Sequence, residues 1–165
     1  MGSILLFAKR FLFPGIDIGT RKRMKFTRYF KDGDISTLDA GCGNGVFCFS
    51  AYKFGNRVIG VDFNKDKLER CIRFRDYMNI DATRCKFKIW DIYEIRKLEE
   101  TFDQIICFET LEHIMHDTEV IKLFSNILKP HGLLHICTPR RNRTLYYGEH
   151  ISEKEDGGHV RLGYE

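Results

Sequence analysis

No run of apolar residues in this 165-residue sequence approaches the roughly 18 needed to cross a bilayer. The most apolar stretch, Ile4 to Phe13, is interrupted by Lys9 and Arg10. It also lacks a charged region before it and a small-residue cleavage site after it, which argues against a secretory signal. C-x-x-C pairs are missing too: the six cysteines, Cys42, Cys48, Cys71, Cys85, Cys107 and Cys137, stand apart. Most fall in segments that read as helix or strand, where a free thiol behaves as a small buried hydrophobe. With no disulfide framework in view, the expected compartment is reducing and cytoplasmic. Repeats and low-complexity tracts are absent, and the length suits one domain with one core.

Acidic residues are scarce at one end. Residues 1–31 carry eight Lys or Arg and a single acid, Asp17, although the whole chain is only +4. A basic arm therefore precedes a mildly acidic remainder. One reading is a solvated helix face. The other is an arm that meets an anionic membrane surface peripherally, with Leu5, Leu6, Phe7, Phe11, Leu12 and Phe13 as its apolar contact. The expected organisation is the arm at 1–31, a cofactor-binding domain at 32–139, and a loop-rich segment rich in glycine and charge at 140–165.

From Thr37 onward, short apolar runs alternate with helical patterns. Strands are expected at Leu38 to Ala40, Arg57 to Asp62, Cys85 to Asp91, Phe102 to Glu109 and Gly132 to Thr138. Helices are expected at Val46 to Phe54, at Asn64 to Asn79 with Asn64 as N-cap, and at Asp117 to Leu128 with Val120, Ile121, Phe124, Ile127 and Leu128 inward. Pro130 and Gly132 end the last of these. This alternation predicts an α/β fold, a doubly wound, mostly parallel sheet flanked by helices. Ligands of such folds bind beyond the carboxyl ends of the strands. That edge collects a glycine loop, Gly41 to Gly45, and three acids read as strand-terminal: Asp62, Asp91 and Glu109.

The loop reads Asp39-Ala40-Gly41-Cys42-Gly43-Asn44-Gly45. Its glycines allow a tight turn and close approach of a ligand to the backbone. Its G-x-G-x-G spacing departs from the dinucleotide fingerprint G-x-G-x-x-G, and Val46 stands where the third dinucleotide glycine belongs. Asp62, at the end of the second strand, is placed to accept hydrogen bonds from both hydroxyls of a ribose. Asp39 also reads as a turn-former, and Asp91 as the N-cap of a short helix. Trp90 and most phenylalanines read as core.

The strings LDAGCGNG, VIGVD, WD, FDQIICFETLEHI and LKPHGLLHICTP, in that order, resemble the class I S-adenosylmethionine-dependent methyltransferases of small molecules. The resemblance covers about residues 20–139 and implies a seven-stranded sheet with an antiparallel last strand. It implies that Gly41, Gly43 and Gly45 carry the cofactor's methionine part and that Asp39 shapes the loop. It further implies Asp62 on the ribose, Phe63 against the adenine, Asp91 and Ile92 at the adenine amino group, and Phe108 and Glu109 under the methyl. Arg21 or Arg23 would meet the cofactor's carboxylate. The E-x-x-E-H string, Glu109, Glu112 and His113, is similar to that of the ubiquinone-pathway O-methyltransferases.

Three readings of that string stay open. The residues could hold a divalent cation such as magnesium, if a helix brings them to one face. His113 could be a general base. The string could be structural. The acceptor is expected to be a small molecule methylated at a hydroxyl. Alternatives are a cofactor-binding but inactive subunit or fragment, and a nicotinamide-dependent oxidoreductase, the latter disfavoured by the loop spacing and by the lack of a tyrosine–lysine pair. Nucleic acid is disfavoured as a substrate because no N/D-P-P-Y/F string follows the fourth strand. The resemblance implies strands beyond the fifth, so the chain reads as truncated, with an open sheet edge that would favour a homodimer.

Overall fold

A computed structural model describes residues 18–139; the apolar half of the basic arm and the segment from residue 140 onward lie outside the described residues. The chain enters through helix α1 (Ile18–Met24) and a 3-10 turn (Lys25–Tyr29), then builds five strands. These are β1 (Ser36–Ala40), β2 (Arg57–Asp62), β3 (Cys85–Ile89), β4 (Phe102–Phe108) and β5 (Leu128–Cys137). Helices α2 (Val46–Lys53), α3 (Lys65–Tyr77) and α4 (Asp117–Ile127) connect them, with 3-10 turns at Ile92–Leu98 and Leu111–His113. The strand order is β3-β2-β1-β4-β5, and every neighbouring pair is parallel. The doubly wound parallel sheet is thus the observed fold, with five strands among the described residues.

Strand periodicity assigns each side chain to a face. Leu38, Ala40, Ile59, Val61, Ile105 and Cys107 point to one side and pack on Val120, Phe124 and Ile127 of α4. Val58, Ile106 and Phe108 point to the other, against Val46, Phe49 and Ala51 of α2, Leu68 and Cys71 of α3, and Phe30. Both faces are covered, so the central strands bury side chains on both sides rather than alternating buried with exposed. Gly60 lets α2 sit directly on β2: a Cβ there would stand 2.6 Å from the Cys48 sulfur. At the opposite end of the sheet from the glycine loop, Asn56 Oδ1 accepts from Thr37 Oγ1 at 2.9 Å and from Gln104 Nε2 at 3.2 Å, which pairs three buried polar groups.

Several expected boundaries move. Asn64 caps α3 as read, its Oδ1 accepting from the Lys67 amide at 3.1 Å. Pro130 and Gly132 do not separate α4 from the last strand. Instead β5 starts at Leu128, and its pairing shifts register between Phe102 and Gln104, with His131 at φ 61°. Such an irregularity accommodates a proline on β5, which is an edge strand among the described residues, where no ladder partner needs its missing N–H. Ile121, expected inward, is 37% exposed, because the buried stripe of α4 is the narrower Val120, Phe124, Ile127 row. No helix among the described residues is long and apolar enough to cross a membrane.

Candidate functional site

At the carboxyl edge of the sheet, β1 runs into the glycine loop. Gly41 (φ 78°), Gly43 (φ 54°) and Gly45 (φ 76°) all take the left-handed backbone that other residues resist. Gly41 is the tightest of them sterically. A Cβ there would lie 2.4 Å from Thr110 Oγ1, so the turn after β4 closes directly over the loop. The amides of Gly41 and Cys42 both donate to the Val61 carbonyl at 2.9 Å, which ties the loop to β2. Asp62 completes the tie: its Oδ2 accepts from the Gly43 amide and its Oδ1 from the Asn64 amide, each at 2.8 Å.

A cavity of about 1130 Å³ opens beside this loop. Of the residues singled out in the sequence, Gly41, Gly43, Asp62, Phe63, Asp91, Ile92, Phe108, Glu109 and His113 line it. Phe63 stands 82% exposed at its edge, a bare ring face available for stacking. Asp62 is the last residue of β2, but the other two acids are not strand-terminal. Asp91 lies past β3 and caps the 3-10 turn, its Oδ1 accepting from the Tyr93 amide at 2.9 Å. Glu109 follows β4 with φ 52°, and its amide donates to the Cys137 carbonyl at 2.7 Å.

Three of the expected site residues stand elsewhere. Gly45 does not line the cavity; it starts α2, and a Cβ there would meet Phe49 at 2.9 Å and the Cys71 sulfur at 3.0 Å. Asp39 is not a turn residue. It belongs to β1, is 1% exposed beneath the loop, and accepts from Cys48 Sγ at 3.1 Å. Burial pushes its carboxyl up to about 7, against the lowering effect of the Cys48 hydrogen bonds. Glu112 is fully buried and turned away from the cavity, whereas His113 is exposed at its wall.

That last split gives the divalent-cation reading no support among the described residues. Glu112 and His113 occupy a 3-10 turn of three residues, in which successive side chains diverge by about 120°. Glu109 precedes the turn, and its Oε2 is held by Arg23 Nη1 at 3.1 Å. Among the described residues, no group of three or more His, Cys, Asp or Glu is placed to hold a metal ion. The helical face that would have gathered Glu109, Glu112 and His113 does not form.

The two candidate arginines are placed differently. Arg21 is exposed, while Arg23 lines the cavity. Its Nη2 reaches Thr20 Oγ1 at 3.4 Å, and its buried Nε–H meets no acceptor among the described residues. A donor left unmatched in a cavity wall is suited to an anionic ligand group.

Comparison with known proteins follows the geometry. A family model described as a methyltransferase domain matches residues 31–160. The chain belongs to the class I S-adenosylmethionine-dependent methyltransferases. Ubiquinone biosynthesis O-methyltransferase of Coxiella burnetii is 30% identical over 109 residues, 66% of this chain and 45% of that protein. The Pasteurella multocida protein of the same name is 33% identical over 116 residues, 66% of this chain and 47% of that one. This methyltransferase chain thus spans about half the length of the curated relatives it matches. Among solved structures, PKMT2 from Rickettsia typhi in complex with AdoHcy shares the fold, with a TM-score of 0.56 and 21% identity over 63% of this chain and 20% of that one.

The methyltransferase cavity also contains residues to which the sequence assigned no site role. Trp90, read as core, is half-buried and lines the wall, with its Nε1 donating to the Glu94 carbonyl at 3.0 Å. Tyr93, Met115, Lys67 and Arg70 line the same cavity. Tyr93 lies on the turn that Asp91 caps, and its hydroxyl accepts from the His116 amide at 3.1 Å. Met115, just past the short turn after β4, is 64% exposed.

Proposed function

We propose that this chain transfers the methyl group of S-adenosylmethionine to a hydroxyl of a small-molecule acceptor. The observation that carries the reading is Asp62, whose two oxygens each hold one backbone amide while the carboxylate still lines the cavity. A carboxylate offers about four lone-pair sites, so about two remain for the two hydroxyls of a ribose. On one side of Asp62, Phe63 and Ile92 present apolar surface for a purine, with Asp91 beside them. On the other, Gly41 and Gly43 allow close approach of a chain ending in an amino acid, and Arg23 receives its carboxylate.

The bound cofactor supplies an electrophilic methyl on a positively charged sulfur, and the chain's own residues align and shield the exchange. Phe108 and Phe47, with ring centroids 4.6 Å apart, form a wall that keeps water from the reacting end. His113 at the cavity wall accepts the proton of the acceptor hydroxyl at a ring nitrogen.

Two binding measurements test the reading. In calorimetry, S-adenosylhomocysteine should bind more tightly than NAD, and the reverse order would sink the assignment. Arg23→Met should weaken S-adenosylhomocysteine by about tenfold, roughly 1.4 kcal/mol, while leaving adenosine binding unchanged. Equal losses for both ligands would mean that Arg23 supports the cavity rather than the carboxylate.

A further inference from the structure

Seven Asp, Glu, His, Lys or Arg side chains line the cavity: Arg23, Asp62, Lys67, Arg70, Asp91, Glu109 and His113. Most of the fixed charges are already engaged. Arg23 and Glu109 pair with each other. Asp62 holds the Gly43 and Asn64 amides, and Asp91 holds the Tyr93 amide. The exceptions are Lys67 and Arg70 on α3.

Lys67 and Arg70 are three residues apart, so they share one face of the helix. Neither forms an ion pair within 4.0 Å among the described residues, whereas their neighbours Lys65 and Arg73 share Glu69 at 3.9 and 3.8 Å. Asp66 stands one turn before Arg70, at a spacing that permits a helical ion pair, yet none within 4.0 Å forms there. The Cys71 thiol contacts the Gly43 carbonyl at 3.4 Å, so this turn of α3 abuts the glycine loop. Asn44 of that loop lines the same cavity.

The cofactor leaves these two cations unmatched. Its single carboxylate belongs to the amino-acid end, where Arg23 stands. Its purine and ribose carry no negative charge, and its sulfur is itself cationic. Two unmatched cations at the cavity wall beside a glycine loop suit a compact anion with several acceptor oxygens.

We propose that Lys67 and Arg70, with Asn44, form a phosphate-binding subsite at the rim of the cavity, filled by a phosphate group of the acceptor or by the free ion. The subsite rests on the reading of the cavity as the cofactor site, and it sets the acceptor class as phosphate-bearing when the group belongs to the acceptor. Binding there is compatible with a bound cofactor.

The test titrates pyrophosphate, inorganic phosphate and phenyl phosphate into the wild-type chain and into a Lys67→Gln/Arg70→Gln double variant, each with and without saturating S-adenosylhomocysteine. Both substitutions are at exposed positions, so folding is expected to survive, and unchanged S-adenosylhomocysteine affinity verifies this. The expected result is anion binding that persists with S-adenosylhomocysteine present and weakens about tenfold in the double variant. Phenyl phosphate binding more tightly than inorganic phosphate assigns the subsite to an acceptor-borne group, and equal affinities assign it to the free ion. Anion binding that is absent, that is identical in the double variant, or that competes with S-adenosylhomocysteine overturns the proposal. Failure of S-adenosylhomocysteine itself to bind refutes instead the cofactor reading beneath it.

Discussion

Asp62→Ala is expected to weaken S-adenosylhomocysteine binding by about 100-fold, roughly 2.7 kcal/mol, in calorimetry at neutral pH. Two losses combine. The ribose loses its charged acceptor, and the glycine loop loses the anchor that Asp62 provides through the Gly43 amide. Asp62→Asn should be no milder, although it keeps the shape. Asp62 faces two backbone donors, the Gly43 and Asn64 amides, one on each oxygen. An asparagine has one acceptor oxygen, so its amino group must face one of those N–H groups, donor against donor. An Asn variant that binds like the wild type would show that the carboxylate is not at the ribose. An Ala variant with unchanged affinity would remove Asp62 from the site altogether.

The contrast between Asp62 and Glu112 shows what local sequence can and cannot carry. Arg57 to Asp62 was legible as a strand to the residue, because its apolar run ends at an acid and a cap-forming Asn64 follows at once. The parallel architecture followed from strands and helices alternating, and the position of the site followed from the architecture. Glu112 and His113, adjacent in sequence, separate to the interior and the wall because the chain takes a 3-10 turn after β4 rather than an α-helix. Nothing in the string E-T-L-E-H distinguishes those two backbones, and the side-chain directions depend entirely on which one forms. Asp39 carried two readings, and the strand one holds. Proximity to glycines also suggested a turn, but the strand expected at Leu38 to Ala40 continues through Asp39 to Ala40 in register with Gly60 and Val61 of β2. Trp90 combined both roles: an aromatic near the end of a strand packs on the core and faces a cavity at once, since β3 stops at Ile89 and releases it from the sheet. Lys67 and Arg70 belong to an otherwise solvated helix face, and only the placement of α3 beside the glycine loop gives them a site.

Asp39→Asn is expected to change how stability depends on pH more than it changes stability at any single acidic pH. Asp39 is buried in β1, with Cys48, Cys42, Cys71, Cys85, Cys107 and Asp62 as its ionisable neighbours. Loss of hydration disfavours its charged form and raises its carboxyl from 3.8 to about 7 in the folded chain. The folded chain therefore keeps a proton that the unfolded chain has already released. The resulting stabilisation is complete below pH 3.8, declines as the pH rises, and is lost above about pH 7. At about 1.4 kcal/mol per unit, this one group contributes a fall on the order of 4 kcal/mol across that window. Asparagine cannot ionise, and its Oδ1 can still accept from the Cys48 thiol. Its amino group has a poorer fit, so the variant should be about 1 kcal/mol less stable than the wild type near pH 4.5. Near pH 8 it should be more stable by about 2–3 kcal/mol, because the wild type then carries an uncompensated buried charge. Urea unfolding of both proteins at pH 4.5, 6 and 8 should give stability curves that cross. Parallel curves would show that Asp39 titrates normally and is not sealed beneath the glycine loop.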